Sequence, residues 1–340
     1  MSFKRLDQED ISISADSIVA PLWSTNAIEL TTFFTSSAQI ASNTGNYYYS
    51  IYDQDINTVQ FNSTARSQMA VGYGDRLGRG EAPYNTNVPG VSPTTTLYGQ
   101  YRNLVFGDED SAFTFGTTTS DSFYFININR SRYKEKLFPG TFELILASGS
   151  NILHLTDNSN DTTTISYVDA GRVYEIISGS AGSAYNVDEG GDGYSAANGS
   201  YGKFLPDVGV IILNRLAIEA ENIISTVNVD GVTGTVNNPA KIYNSIKQGE
   251  SFSLQSEETI SSNYVFVRVR NSEFNYSTNP SNITGSGEIT HDVMINSPQA
   301  YITTVGLYND NNDLVAVAKL SRPLLKDFTK EALIRIKLDY

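Results

Sequence analysis

The chain has no cysteine, two histidines and one tryptophan, and nowhere do ~18 apolar residues follow one another without interruption. Without cysteine there are no disulfides, no thiolate nucleophile and no Cys-ligated zinc or iron–sulfur site, a composition that suits assembly in a reducing cytoplasm. His154 and His291 alone give almost no material for a Ser-His-Asp arrangement or a multi-histidine metal centre. The missing apolar run predicts no membrane-spanning helix, and the polar opening Met1 to Asp10, with no apolar stretch behind it, predicts no secretion signal. Positive charge is also scarce. Lys and Arg number 23 against 37 Asp and Glu, a net charge of −14, so the chain as a whole repels phosphate backbones and anionic membrane surfaces. Neither nucleic acid nor membrane is expected as a partner.

What is present points to sheets. Hydrophobic residues make up 40% and charged residues 18% of the 340-residue chain, enough apolar material to fold and too little charge for a disordered polymer. Tyr (21) and Phe (16) dominate the aromatics and suit half-buried strands. Short apolar runs alternate with clusters of Gly, Asn, Asp, Ser and Thr, as strands alternate with turns. Val265, Val267 and Val269 repeat with period two against Phe266, Arg268 and Arg270. Phe142, Leu144 and Leu146 do the same after the Pro139-Gly140 turn, as do Ala332, Ile334, Ile336, Leu338 and Tyr340 opposite Arg335, Lys337 and Asp339. Asn309 to Asp313, whose residues tolerate left-handed backbone, predicts a β-hairpin between Tyr301–Tyr308 and Leu314–Leu320. Only Leu213 to Ile224 and Pro239 to Lys247 have helical spacing. The expected fold is mainly β: two or more β-sandwich or β-sheet units with a small helical connector. Soft boundaries near residues 150 and 250 divide it into an N-terminal β-rich domain (1–150), a middle β region with a helical insertion (151–250) and a C-terminal β-rich domain (251–340). No fixed-period repeat is visible.

Several clusters bear on chemistry. His154 lies in an apolar run and reads as structural; His291 beside Asp292 reads as a surface pair. Asp108-Glu109-Asp110 and Glu257-Glu258 could serve a glycosidase only if two carboxylates faced each other, and adjacent acids on a strand point to opposite faces. Asp157–Asp161, Asp188–Asp192 and Asn309–Asp313 space oxygen ligands at alternate residues but lack the full calcium loop, so turn chemistry accounts for them. Gly72 to Gly80 lacks the Gly-Lys-Ser/Thr ending of a phosphate loop and is expected to be an arginine-bearing loop that docks on an acidic neighbour. Arg130, Arg132, Lys134 and Lys136 form a second basic stretch. Tyr47-Tyr48-Tyr49 with Tyr52 offers either a sugar-stacking platform or a packed edge, and strand alternation splits these rings over two faces. No catalytic, cofactor-binding or metal-ligating residue is assigned.

Four segments carry a resemblance: Asn263 to Pro280 (NYVFVRVRNSEFNYSTNP), Tyr301 to Lys326 (YITTVGLYNDNNDLVAVAKLSRPLLK), Met1 to Asp7 (MSFKRLD) and Tyr98 to Asp110 (YGQYRNLVFGDED). They resemble structural proteins of contractile-tailed phages, in particular the T-even-like myoviruses of cyanobacteria and marine bacteria. The resemblance implies a non-enzymatic virion subunit, placed most readily in the tail baseplate and assembled in the host cytoplasm. Its partners would be other baseplate, tail or neck proteins, in a homo- or hetero-oligomer, and no cofactor is implied. Two alternatives remain open at this point: an adhesin that recognises host surface glycans, and a depolymerase-type glycosidase.

Overall fold

The computed structural model describes residues 4–36, 48–58, 64–80, 93–185, 192–225 and 237–339. Its strands in chain order are β1 (Ile11–Pro21), β2 (Glu29–Leu30), β3 (Tyr48–Tyr52), β4 (Ser67–Asp75), β5 (Phe113–Phe115), β6 (Thr118–Ser120), β7 (Ser122–Ile128), β8 (Lys136–Leu137), β9 (Glu143–Ser148) and β10 (Asn151–Asp157). These are followed by β11 (Ser166–Val168), β12 (Gly171–Ser180), β13 (Ser183–Ala184), β14 (Gly202–Leu205), β15 (Val210–Asn214), β16 (Phe252–Ser253), β17 (Gln255–Val269), β18 (Ala300–Tyr308), β19 (Leu314–Lys326) and β20 (Ala332–Asp339). Helices α1 (Pro93–Phe106), α2 (Arg215–Ala220), α3 (Asn238–Gly249) and α4 (Val293–Asn296) are the α-helices among the described residues. The protein is mainly β, in several antiparallel sheets.

The chain forms two compact units: a larger one of residues 18–258 and a smaller one that joins residues 1–17 to 259–340. Residue 150, one of the boundaries expected from sequence, falls at the turn between β9 and β10, which pair Asn151 to Ser148 in a single sheet. Residue 250 lies just before the point where the chain passes into the smaller unit.

A 12-stranded sheet organises the larger unit, in the order β2-β16-β9-β10-β12-β14-β15-β7-β4-β3, with β11 and β13 added beside β12. It curls until its ends meet: Phe34, just after β2, exchanges both backbone hydrogen bonds with Tyr52 of β3, at 3.1 and 2.8 Å. Curling gives every strand an inner face, and alternation fills it. Tyr124, Ile126 and Ile128 of β7, Ile211 and Leu213 of β15, Leu144 and Leu146 of β9 and Met69, Val71 and Tyr73 of β4 all enter one core. Helix α3 supplies Ile242, Tyr243 and Ile246 to that core. Tyr243 stacks on Tyr49 with centroids 5.7 Å apart and donates its hydroxyl to the Phe33 carbonyl at 3.0 Å. At its far end, a Cβ on Gly249 would lie 1.9 Å from the Ile145 carbonyl oxygen, so only glycine lets the helix terminus approach β9 this closely.

The opposite face of the central strands is buried as well. Phe123 and Phe125 of β7 and Val210 and Ile212 of β15 meet Tyr98, Tyr101 and Val105 of α1 and Phe113 and Phe115 of the β5–β6 hairpin in a second core. Tyr101 lies 4.5 Å from Phe125, and Phe113 lies 4.8 Å from Phe123, in the tilted and edge-on contacts that aromatic quadrupoles favour. With both faces covered, the run Phe123 to Ile128 is nearly all apolar.

The helices depart from the sequence reading in two respects. Leu213 and Asn214 belong to β15, and α2 begins only at Arg215, where the Asn214 side chain caps the Leu216 amide at 3.1 Å. Helix α1 has no counterpart among the stretches with helical spacing in the sequence. The helix expected at Pro239–Lys247 is present as α3, with its apolar face packed into the main core.

In the smaller unit β17 lies between β1 and β20, and β17 pairs with β20 from Ser262↔Asp339 to Val269↔Ala332. The hairpin expected around Asn309–Asp313 is present as β18–β19. The Asn309 side chain accepts from the Asn311 and Asp313 amides at 3.0 and 2.8 Å, and Asn312 takes the left-handed conformation at φ 64°. This unit buries little: Val265, Ile334 and Ile336 form its centre, with partly buried Val305, Leu307, Ala318 and Leu320 against them.

Candidate functional site

The residues that sequence placed nearest to chemistry are engaged in building turns and ion pairs. His154 is half-buried on β10 with its ring edge-on to Tyr185 at 5.8 Å, and exposed His291 accepts the Met294 amide through its carbonyl at the start of α4. Asp108 closes a turn after α1, accepting from the Asp110 and Ser111 amides at 2.9 and 2.6 Å. Hydrogen bonds from the Ser111 hydroxyl and amide hold its carboxyl below the usual carboxylate range. Glu257 and Glu258 turn to different cations: Glu258 pairs with Lys134 at 2.8 Å, whereas Glu257 lies 3.8 Å from both Lys136 and Arg172. Among the described residues no group of three or more His, Cys, Asp or Glu is placed to hold a metal ion.

The calcium-like loops resolve similarly. Asp157 is fully buried; its carboxylate accepts the Gly140 amide at 2.8 Å and the Ser159 amide at 3.0 Å, which ties the Pro139-Gly140 turn to β10. Burial pushes its pKa up against the lowering effect of those bonds. Asp161 turns away and accepts the Ala184 amide at 2.7 Å. Asp188 lies outside the described residues; Asp192 accepts the Tyr194 amide at 3.0 Å.

The Gly72–Gly80 segment, expected as an arginine-bearing loop that docks on an acidic neighbour, turns Arg79 onto an aspartate of its own. Gly72 to Asp75 is the end of β4, and fully buried Asp75 binds Arg79 through Nε at 3.2 Å and Nη2 at 3.1 Å while accepting the Leu77 and Arg79 amides. The arginine closes its own loop because a buried carboxylate needs its charge and donors satisfied. Arg130 likewise donates to the Tyr133 and Lys134 carbonyls, with its guanidinium 4.6 Å over the Tyr133 ring. Of the tyrosine run, Tyr47 lies outside the described residues, Tyr48 is exposed and Tyr49 is buried in the core, the two-faced split that alternation requires.

Two surface features remain. In the larger unit a cleft of about 230 Å³ beside β11 and β12 is lined by Asn158, Thr164, Tyr167, Glu175 and Lys203, with Lys203 and Glu175 paired at 2.5 Å. Nearby, Arg172 binds Asp207 at 2.7 Å. Burial alone would raise the Asp207 carboxyl, but hydrogen bonds from the Arg172 side chain and amide and the Arg172 charge outweigh it and hold the group below the usual carboxylate range. An acid with a depressed folded-state pKa stabilises the fold above its unfolded value, and that contribution is lost as pH falls through the folded value. Thermal unfolding followed from pH 7 down to pH ~2 is therefore expected to show a smaller acid-side loss for Asp207→Asn than for the parent chain. Parallel acid profiles would contradict this assignment.

The second feature is the surface of the smaller unit. Ile13, Val293, Ile295, Tyr301, Leu314, Val315, Val317, Phe328 and Leu333 are all more than half exposed there. A hairpin with one solvated face should alternate apolar inside and polar outside. Here β18–β19 places Val305, Leu307, Ala318 and Leu320 inward and still shows Tyr308, Leu314, Val315 and Val317 outward. Charge is distributed to match. The smaller unit carries 10 Lys and Arg against 12 Asp and Glu, and the larger 13 against 25, so the acidity that keeps chains apart resides in the larger unit. Sequence alternation gave the strands; it did not show that both faces of one hairpin are apolar enough to need cover.

Comparison of the chain with protein-family models, curated proteins and solved structures finds no match in any of the three. The functional reading therefore rests on the residues themselves. The smaller unit is nearly neutral, apolar on the outside and thin in buried core.

Proposed function

We propose that this chain is a structural subunit of a tailed-phage virion, a tail baseplate component that works by protein–protein assembly and catalyses no reaction. The observation that carries the proposal is the exposed apolar surface of the smaller unit, with Val315 and Val317 68% and 58% exposed on a hairpin of near-neutral surroundings. Such side chains gain roughly 25 cal/mol per Å² when a partner removes them from water. The resemblance of Asn263–Pro280 and Tyr301–Lys326 to contractile-tail proteins falls in this same unit. Among the described strands β1 pairs with β17 alone, and it carries no lysine and no proline before Pro21, the composition of an edge to which a neighbouring chain could add a strand.

Comparative mass spectrometry of purified particles and isolated tails tests the proposal. Stoichiometric copies in both fractions are expected, and absence from intact particles would end it. A second reading, a glycan-binding adhesin, is favoured by the polar cleft with its 70% exposed Tyr167, since a ring face beside hydroxyl, amide and charged groups suits a sugar. Binding on a glycan array that Tyr167→Ala abolishes would support the adhesin reading over assembly alone.

A further inference from the structure

We infer that the outer face of the β18–β19 hairpin is a self-complementary contact through which two copies of this chain associate about a two-fold axis. The face is built from Tyr308 and Gly306 on one strand and Leu314 and Val317 on the other, paired Tyr308↔Leu314 and Gly306↔Val317. Gly306 lets the larger neighbours close over it: a Cβ at that position would lie 3.0 Å from the Tyr308 ring and 3.2 Å from Leu314. The result is a smooth apolar strip. The irregular pairing between Leu307 and Tyr308 pushes Val315 out at its edge.

Charge at the two ends of the strip chooses the occupant. Asp310 and Asp313 stand at the hairpin tip, and Lys319 and Arg322 toward its base, all four exposed. Neither base forms an ion pair among the described residues. Asp313 and Lys319 are separated by roughly 20 Å of extended chain, too far to neutralise each other within one hairpin. Asp313, next to the first residue of β19, and Lys319 within it are centred on residue 316. A two-fold axis passing near Ala316 lays the hairpins antiparallel, setting each acidic tip against the partner's basic base and packing Val317 and Leu314 between them. A parallel arrangement would set acid on acid. Because a two-fold contact uses the same patch on both copies, a patch that carries both signs at equal distances from its centre is complementary to itself. No unrelated partner has to be invoked to satisfy it. This inference concerns the chain alone and does not depend on the particle in which it works, so its failure and that of the virion reading are separable.

Sedimentation equilibrium of the full chain tests it. The parent protein is expected to sediment at twice the mass of one chain, and Val317→Asp, which places a carboxylate in the middle of the strip, should weaken the dimer about 100-fold. Asp313→Lys and Lys319→Asp should each weaken it, and the two together should restore it, a rescue that a folding defect would not produce. A parent chain that stays monomeric at high micromolar concentration overturns the inference, and so does a dimer indifferent to Val317→Asp. A double charge exchange no better than either single change overturns it as well. A monomer that binds another virion protein through this hairpin would replace the second copy with a heterologous partner.

Discussion

Removing Ala332–Tyr340 is expected to unfold the smaller unit while the larger one remains folded. The strand lost, β20, pairs with β17 along eight positions and supplies Ile334 and Ile336, two of the three buried residues at that unit's centre. Burying such side chains contributes about 1.5–3 kcal/mol each. With the ladder removed, Val265 is left beside a two-stranded hairpin, and an isolated hairpin is marginal in water. Further bonds are lost at both ends. Ser262 donates to Asp339 at 2.7 Å at one end of the pairing, and next to the other Arg268 binds Glu331, the residue immediately before the deleted strand. Limited proteolysis gives the readout: rapid cleavage within 259–331, leaving a stable fragment close to residues 18–258. Parent-like protection of the β18–β19 hairpin in the truncated chain would contradict this description of the unit.

Gly249→Val is expected to have the largest effect of any single substitution in the larger unit. The added Cβ would lie 1.9 Å from the Ile145 carbonyl oxygen and 2.6 Å from its carbon, and backbone on a central strand has no rotamer by which to withdraw. Helix α3 would have to move off β9, disturbing Ile242, Tyr243 and Ile246 together with the Tyr49 stack and the hydrogen bond to Phe33. A cost of about 3 kcal/mol or more, the upper end for overpacking, corresponds to a fall in melting temperature of roughly 6–12 °C for a domain of this size. Gly285→Ala, where nothing lies within 4 Å, provides the comparison and should leave the melting temperature within about 2 °C. Equal melting temperatures for the two variants would show that the approach of α3 to β9 is not what holds the helix in place.

Sequence made the β class legible because most strands keep one wet face, so alternation survives in Leu144 and Leu146, in Val265 to Val269 and in Ala332 to Ile336. It failed where tertiary burial erased the period. β15 is buried along its whole length and runs directly into α2, so Leu213 to Ile224 reads as one helical stretch; the switch is marked only by the cap at Asn214. Helix α1 was hidden by Thr94, Thr95, Thr96 and Gly99, poor helix formers whose cost is offset by packing Tyr98, Tyr101 and Val105 on the β7 phenylalanines. The joining of residues 1–17 to the C-terminal unit is a pairing across some 250 residues, and nothing local encodes it. The candidate contact was half legible. The acids at the tip and bases at the base of the hairpin are visible in the sequence, but which of Tyr308, Leu314, Val315 and Val317 face outward depends on the register and the irregular pairing after Leu307. Conversely, clusters that attract attention in sequence, such as Asp157 to Asp161 and Gly72 to Gly80, are consumed by turns whose amides need acceptors.

A cryo-EM reconstruction of an intact contractile tail from the phage source that the proposed function requires tests the assembly claim most directly. Density for the subunit is expected in the baseplate, with the outward side chains of the β18–β19 hairpin covered by protein. A subunit missing from the particle, or one present with that hairpin facing open solvent at every copy, would contradict it.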